Sequence, residues 1–261
     1  MTELRQAATP TARQRFLGWC VHFYTATGLI CAAGMAVLLT GDHPGPAQFH
    51  YVFMLMFLAT VIDATDGTLA RRVDIKRVVP EFDGRRLDDL TDFLTYTCLP
   101  LMLIWRARLL PVGQEYWLIA VLLASAYGFC QSSIKTNDGY FRGFPSYWNL
   151  VAFYLYLLLL PQWLNLAVII VLAILTFVPS RYFYPTQRGG WNRVMLILGS
   201  LWGVLLIWIL WDLSRLNSGS EASANPAIYQ LGLASIIYPA FYLLVSWGIS
   251  ARDLLSQHKQ T

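Results

Sequence analysis

Charge is what this chain has least of. Asp, Glu, Lys and Arg together make up 13% of its 261 residues, about half the roughly 25% of an ordinary soluble domain. So few charges cannot solvate the surface of a water-soluble fold, and that class is excluded. Cysteine is scarce too. The four present, Cys20, Cys31, Cys98 and Cys130, stand singly in apolar stretches without a C-x-x-C pair. That pattern argues against a zinc site, a redox motif or a disulfide framework, and for small buried apolar residues. No internal repeat, low-complexity tract or soluble module interrupts the chain, and no basic stripe of the kind that tracks nucleic acid is present.

What is abundant is apolar surface: 56% of the residues are hydrophobic, and ten are tryptophan. Crossing a hydrocarbon core of roughly 30 Å takes about 20 apolar residues. Suitable runs lie near 16–40, 48–70, 87–106, 115–133, 146–161, 163–184, 194–212 and 229–249. They predict an all-α, polytopic membrane helix bundle of about eight transmembrane helices, folded as one integral membrane domain over 1–261. The fifth and sixth runs meet at a tight turn, Pro161-Gln162, and Asn217 to Pro226 reads as a polar outer loop. Residues 1–15 are polar and weakly basic. The first apolar run is too long for a signal-peptide core and reads as a retained helix.

An even number of spans puts both termini on one side. With the N-terminus in the cytoplasm, 16 of the 19 basic residues fall inside, and only Arg106, Arg108 and Arg215 fall outside. That bias follows the positive-inside rule. The net charge of +4 then reflects topology and contact with anionic headgroups.

Against this background the acids stand out. Asp63, Asp66, Asp88 and Asp92 lie at the inner ends of the second and third spans, where an acid costs about 3 kcal/mol on insertion scales. Asp63, Asp66, Gly67 and Ala70 share one helix face by their i, i+3, i+4, i+7 spacing, and Gly84, Asp88 and Asp92 share another at every fourth residue. Two helices laying these faces together would converge four carboxylates on a small volume. Hard divalent cations such as Mg2+ or Mn2+ want that oxygen-only environment. Asp74, Glu81 and Asp83, scattered in the intervening linker, read as ordinary surface acids, and Asp89 breaks the pattern beside Arg85. Gly67 and Gly84 would let a ligand approach the backbone closely. Arg71 offers a charged donor to phosphate.

The order Asp-x-x-Asp-Gly-x-x-Ala-Arg, then Gly-x-x-x-Asp-x-x-x-Asp, resembles the motif of the CDP-alcohol phosphatidyltransferases, integral membrane enzymes that exchange the CMP of a CDP-linked donor for an alcohol. Eight positions agree: Asp63, Asp66, Gly67, Ala70, Arg71, Gly84, Asp88 and Asp92. The departure is a linker of 12 residues between Arg71 and Gly84, longer than in most members. Further segments, His22–Gly28, Phe82–Asp89, Ala126–Gln131, Gly143–Asn149 and Thr176–Pro179, resemble the bacterial branch that condenses CDP-diacylglycerol directly with choline.

The resemblance implies a site of two Mn2+ or Mg2+ ions, with Asp63, Asp66, Asp88 and Asp92 as ligands and Asp92 as the catalytic general base. It further implies CDP-donor contacts from Asp66, Gly67, Ala70, Arg71 and Gly84, a bacterial inner-membrane location with the site facing the cytoplasm, and a homodimer. Lys135 and Arg142, on the same side, are further candidates for donor phosphate.

The acceptor must be read elsewhere. Residues 135–149 are dense in aromatics for a short inner loop, and a quaternary ammonium is held by ring faces through cation–π attraction, worth about 2 kcal/mol when desolvated. Tyr140, Tyr147 and Trp148 are cage candidates, with Tyr24, Tyr127 or Tyr182 from other helices and Asn149 for the choline hydroxyl. The same rings also suit an interfacial aromatic belt. Inositol phosphate, glycerol phosphate or serine would call instead for a basic pocket. An organic-cation transporter is the reading from another class. Its sites usually lie at mid-membrane between repeats, whereas these acids sit at helix ends in a chain without repeats.

Overall fold

A computed structural model describes residues 9–131, 140–178, 180–183, 190–215 and 226–257. Each apolar run carries a helix. Helix α1 (Ala12–Thr40) starts at Thr11, whose hydroxyl accepts from the Gln14 amide while the Gln14 side chain accepts from the Thr11 amide. This closes a capping box over otherwise orphaned donors. Helix α2 (Pro46–Arg72) opens on a proline, which is pre-set for the first helical turn. The pair packs antiparallel, with Cys31, Ala32, Met35 and Leu39 facing Phe49, Val52, Phe53, Met56 and Ala59 in a common buried cluster. The outer face of α1 is also apolar: Phe16, Phe23, Ile30 and Val37 are exposed and recur every seven residues. A helix that is apolar all round belongs in lipid.

The linker after α2 is structured. Asp74 adopts the left-handed conformation (φ 51°) and starts a single turn, α3 (Ile75–Val78). Val78 and Val79 are each 1% exposed. A Cβ on Gly18 would come within 2.7 Å of a Val79 methyl, so these valines fill the notch that glycine leaves in α1.

The third span is one rod of three pieces: α4 (Gly84–Asp92), a π-helical turn at Phe93–Cys98, and α5 (Leu99–Arg106). Pro100 stands where α5 begins. Proline has no N–H for the helical ladder, and the preceding turn widens so that the Leu99 amide reaches back five residues to Leu94. Then follow α6 (Trp117–Cys130), strand β1 (Tyr140–Arg142), α7 (Trp148–Leu158), α8 (Gln162–Phe177), strand β2 (Arg181–Phe183), α9 (Gly190–Arg215), α10 (Pro226–Ser235) and α11 (Ile237–Gln257).

Among the described residues, four segments are long and apolar enough to cross a membrane unaided: Ala12–Thr40, Pro46–Arg72, Arg193–Asp212 and Pro226–Gly248. The central helices are shorter than the runs that predict them. At 1.5 Å per residue, α6, α7 and α8 span about 21, 17 and 24 Å. The run at 163–184 ends as helix at Phe177, because Val178 precedes Pro179 and turns extended, as the residue before a proline prefers. Arg181–Phe183 then pairs antiparallel with Tyr140–Arg142. Gly143 (φ 83°) admits no side chain there, since its Cβ would lie 2.3 Å from the Thr176 carbonyl oxygen.

The helix ends sort into two groups. At one, the Arg106 guanidinium donates to the Gly41 carbonyl at 2.5 Å, and Gln162 and Asn165 donate to the carbonyls of Arg108 and Leu109. The α1–α2, α5–α6 and α7–α8 connections therefore lie together. At the other, Arg15 pairs with Glu81, and α3 and α4 dock against the start of α1. The carboxylates belong to this second end.

Candidate active site

Helix α1 supplies the surface on which both acid-bearing helices are mounted. It meets α4 where side chains are smallest. A Cβ on Gly28 would lie 2.5 Å from the Thr91 methyl, and one on Gly84 would lie 2.5 Å from His22 Cε1. It meets α2 through polar contacts: Tyr24 and Thr65 share a hydroxyl hydrogen bond of 2.7 Å, and the Thr25 hydroxyl donates to Asp66 at 2.7 Å.

With both helices so mounted, the acidic faces converge. One carboxylate oxygen each from Asp63, Asp88 and Asp92 lies within 4.8 Å of the others. Asp66 is 6% exposed and lies against Asp88, while the charges of Asp63, Asp88 and Asp66 all reach Asp92. Tyr96 donates its hydroxyl to Asp63 at 2.8 Å. Carboxylates this close repel one another unless a cation or proton intervenes. An all-oxygen donor set from rigid helices suits a hard divalent ion, and the residues present fit the metal dependence of the family described below.

Thr25 and Tyr96 orient the acids. Tyr96 carried a signal in the sequence, because it continues the every-fourth-residue row of Gly84, Asp88 and Asp92. Thr27, on the same stretch as Thr25, instead donates to its own helix at the Tyr24 carbonyl.

The scattered acids find nearby bases. Asp74 meets Arg77 at 2.8 Å, Asp83 meets Arg86 at 3.1 Å while capping α4, and Asp89 reaches Arg85 at 4.0 Å. Of the donor-side candidates, Gly67 has open space beside it apart from the Arg71 guanidinium. Arg71 is exposed, bonds Thr68 at 3.0 Å and acts electrostatically on Asp66, while Ala70 is half-buried on the same face. The His22 ring, itself tilted against Phe82 with centroids 4.5 Å apart, fills the space where a Cβ on Gly84 would stand, so the bareness of Gly84 serves helix packing. Lys135 lies outside the described residues, and Arg142 and Tyr140 are described only as backbone in β1.

The acceptor-side candidates separate. Tyr147, Trp148 and Tyr182 gather with Phe144, Tyr242 and Trp247, three rings that the loop composition did not single out. Phe144 packs edge-on to Trp148 and Tyr182, Tyr182 stacks on Tyr242, Trp247 donates to the Tyr182 hydroxyl, and Tyr147 lies near Tyr242. Trp148 is fully buried with its indole N–H on Ser125 at 2.5 Å, so it stiffens the cluster from behind. Asn149 donates to Thr60, three residues before Asp63, at 3.3 Å, which ties the start of α7 to the acid helix. Tyr24 lies apart on the α1–α2 seam, and Tyr127 faces outward from α6 against Phe177.

Comparison with known proteins agrees with this geometry. Residues 22–179 match the model of the CDP-alcohol phosphatidyltransferase family. The chain is similar to the phosphatidylcholine synthase of Pseudomonas aeruginosa, with 39% identity over 72% of this chain and 79% of that one. It is similar to the phosphatidylcholine synthase of Borreliella burgdorferi, with 34% identity over 88% and 93%, and to that of Legionella bozemanae, with 44% identity over 54% and 66%. The matched segment contains every residue of the carboxylate cluster and α1 from His22 onward, and the chain belongs to the CDP-alcohol phosphatidyltransferase family.

Proposed function

We propose that this enzyme transfers the phosphatidyl group of CDP-diacylglycerol to choline, giving phosphatidylcholine and CMP. The observation that carries the reading is the convergence of Asp63, Asp88 and Asp92 in a chain whose relatives are phosphatidylcholine synthases. Two Mn2+ or Mg2+ ions held by Asp63, Asp66, Asp88 and Asp92 would neutralise the donor's pyrophosphate and the leaving CMP.

The protein's own part is positioning and proton transfer. Asp92 takes the proton of the choline hydroxyl as that oxygen bonds to the phosphorus bearing the diacylglycerol. The bond from that phosphorus to the CMP oxygen breaks on the opposite side, and CMP departs with the electron pair. Thr25 and Tyr96 hold two of the carboxylates in register. Gly67 and Ala70 leave room for the nucleotide, and Arg71, Lys135 and Arg142 offer positive charge to the phosphates. The rings around Tyr147 and Tyr182 take the quaternary ammonium, and Asn149 takes the choline hydroxyl. The protein acts as a single integral domain in the bacterial inner membrane, with termini and site facing the cytoplasm, and as a homodimer.

Purified protein given CDP-diacylglycerol, Mn2+ or Mg2+ and a panel of alcohols should form phosphatidylcholine and equimolar CMP. Product with inositol phosphate, glycerol phosphate or serine but none with choline overturns the assignment of acceptor.

A further inference from the structure

Helix α9 begins after the family match ends at residue 179. It carries two glycines one turn apart, and the structure treats them differently. A Cβ on Gly199 would meet the Tyr238 hydroxyl at 2.7 Å, whereas one on Gly203 would meet nothing within 4 Å. The space beside Gly203 belongs to a cavity of about 210 Å³ between α2, α7 and α9. Its walls are hydrocarbon: Phe53 and Met56 from α2, Phe153 from α7, Leu206 and Leu210 from α9. Trp202 also lines it, but its indole N–H is already given to the Tyr154 hydroxyl at 3.0 Å.

Polarity appears in the lining at Thr60 and Asn149, bonded to each other at 3.3 Å. Thr60 is one turn from Asp63 on α2 and within hydrogen-bonding reach of Tyr96, which donates to Asp63. The cavity therefore begins where the carboxylate cluster ends. Apolar cavities of roughly 150 Å³ stay dry and take up hydrocarbon such as benzene. This one is larger, apolar along its length, and adjoins the reacting groups at its polar end.

We infer that the cavity holds one acyl chain of the lipid substrate, so that α9 fixes the donor's glycerol end beside the carboxylates and makes the enzyme sensitive to chain length. The inference rests on the phosphatidyl-transfer reading above and adds to it a subsite walled jointly by α2 and α7 of the matched segment and by α9 beyond it.

Gly203→Leu tests it. The new side chain enters free space, and leucine favours helix over glycine, so the variant should melt no lower than the parent in detergent. Its KM for a dioleoyl CDP-donor should rise about tenfold, the effect of displacing a pair of buried methylenes. The values for a dihexanoyl donor and for choline should stay within about twofold. Leu206→Trp fills the cavity from the same wall and should act alike. Equal losses on long and short donors, or no loss on either, overturn the inference. A long-chain donor carrying a photoreactive diazirine in its acyl chain gives a readout independent of turnover. Crosslinks to Phe53, Phe153 or α9 that vanish in Gly203→Leu support the subsite, and crosslinks elsewhere refute it. A parent protein that labels as expected yet forms no phosphatidylcholine would overturn the activity and leave the subsite standing.

Discussion

Each acid at this site is governed by a different neighbour. Asp66 leans on the Thr25 hydroxyl and Asp63 on Tyr96, whereas Asp92 stands under the charges of the other three. Asp92→Asn should therefore remove proton transfer most directly, lowering kcat by about 10²- to 10⁴-fold, read as CMP release under saturating metal. If activity returns fully at higher metal concentration, Asp92 is a ligand and not the base. Thr25→Val and Tyr96→Phe remove partners of the acids and leave the acids in place. Groups that orient ligands from behind typically contribute 10- to 100-fold in metal affinity or activity. Both variants should raise the Mn2+ concentration for half-maximal activity by about that factor, and unchanged metal titrations would show that the two hydroxyls are merely structural.

At the level of elements, α1 decides whether the acids meet, although it contributes no carboxylate. Gly84 packs against His22 where α1 meets α4. Gly84→Ala should push α4 outward and lower both melting temperature and activity. Adding His22→Ala removes the obstructing ring and should recover much of both, a coupling that a double-mutant cycle measures. Additive losses would mean that the two residues act separately.

This is also where sequence reading reaches its limit. The carboxylate faces were legible because helical period alone aligns 63, 66, 67 and 70, and 84, 88 and 92. The partner helix was not, because Gly18, Gly28 and Thr25 on α1 look like ordinary members of an apolar run until their neighbours are known. Strands β1 and β2 were likewise hidden. Three-residue ladders carry no readable alternation, and the second was absorbed into the apolar run at 163–184. The buried position of Trp148 follows from the crossing of α6 and α7, which loop composition cannot report.

Over the whole molecule, the described connections gather at two opposite ends, and the carboxylates, Arg15 and the linker share one of them. Val112 lies in the α5–α6 connection at the other end and is 92% exposed. With the site facing the cytoplasm, Val112→Cys in a background stripped of the native cysteines should react with a membrane-impermeant maleimide added outside intact spheroplasts, whereas Glu81→Cys should react only after lysis. The reverse pattern would invert the topology. Eight apolar runs and their basic flanks sufficed to foresee the bundle. Their true lengths did not follow from hydropathy, since α6, α7 and α8 are packed among neighbours and need not match the bilayer individually.

The valine wedge beneath α1 has an evolutionary corollary. Val78 and Val79 occupy the volume that a side chain at position 18 would otherwise claim. A descendant that trimmed the connecting segment to the length usual in the family would withdraw those methyls and leave a void beside a bare backbone, a loss that grows with every cubic ångström vacated. A larger residue at 18 would repair it, yet would evict the valines from any ancestor that still had them. Segment length and the smallness of residue 18 are thus physically coupled.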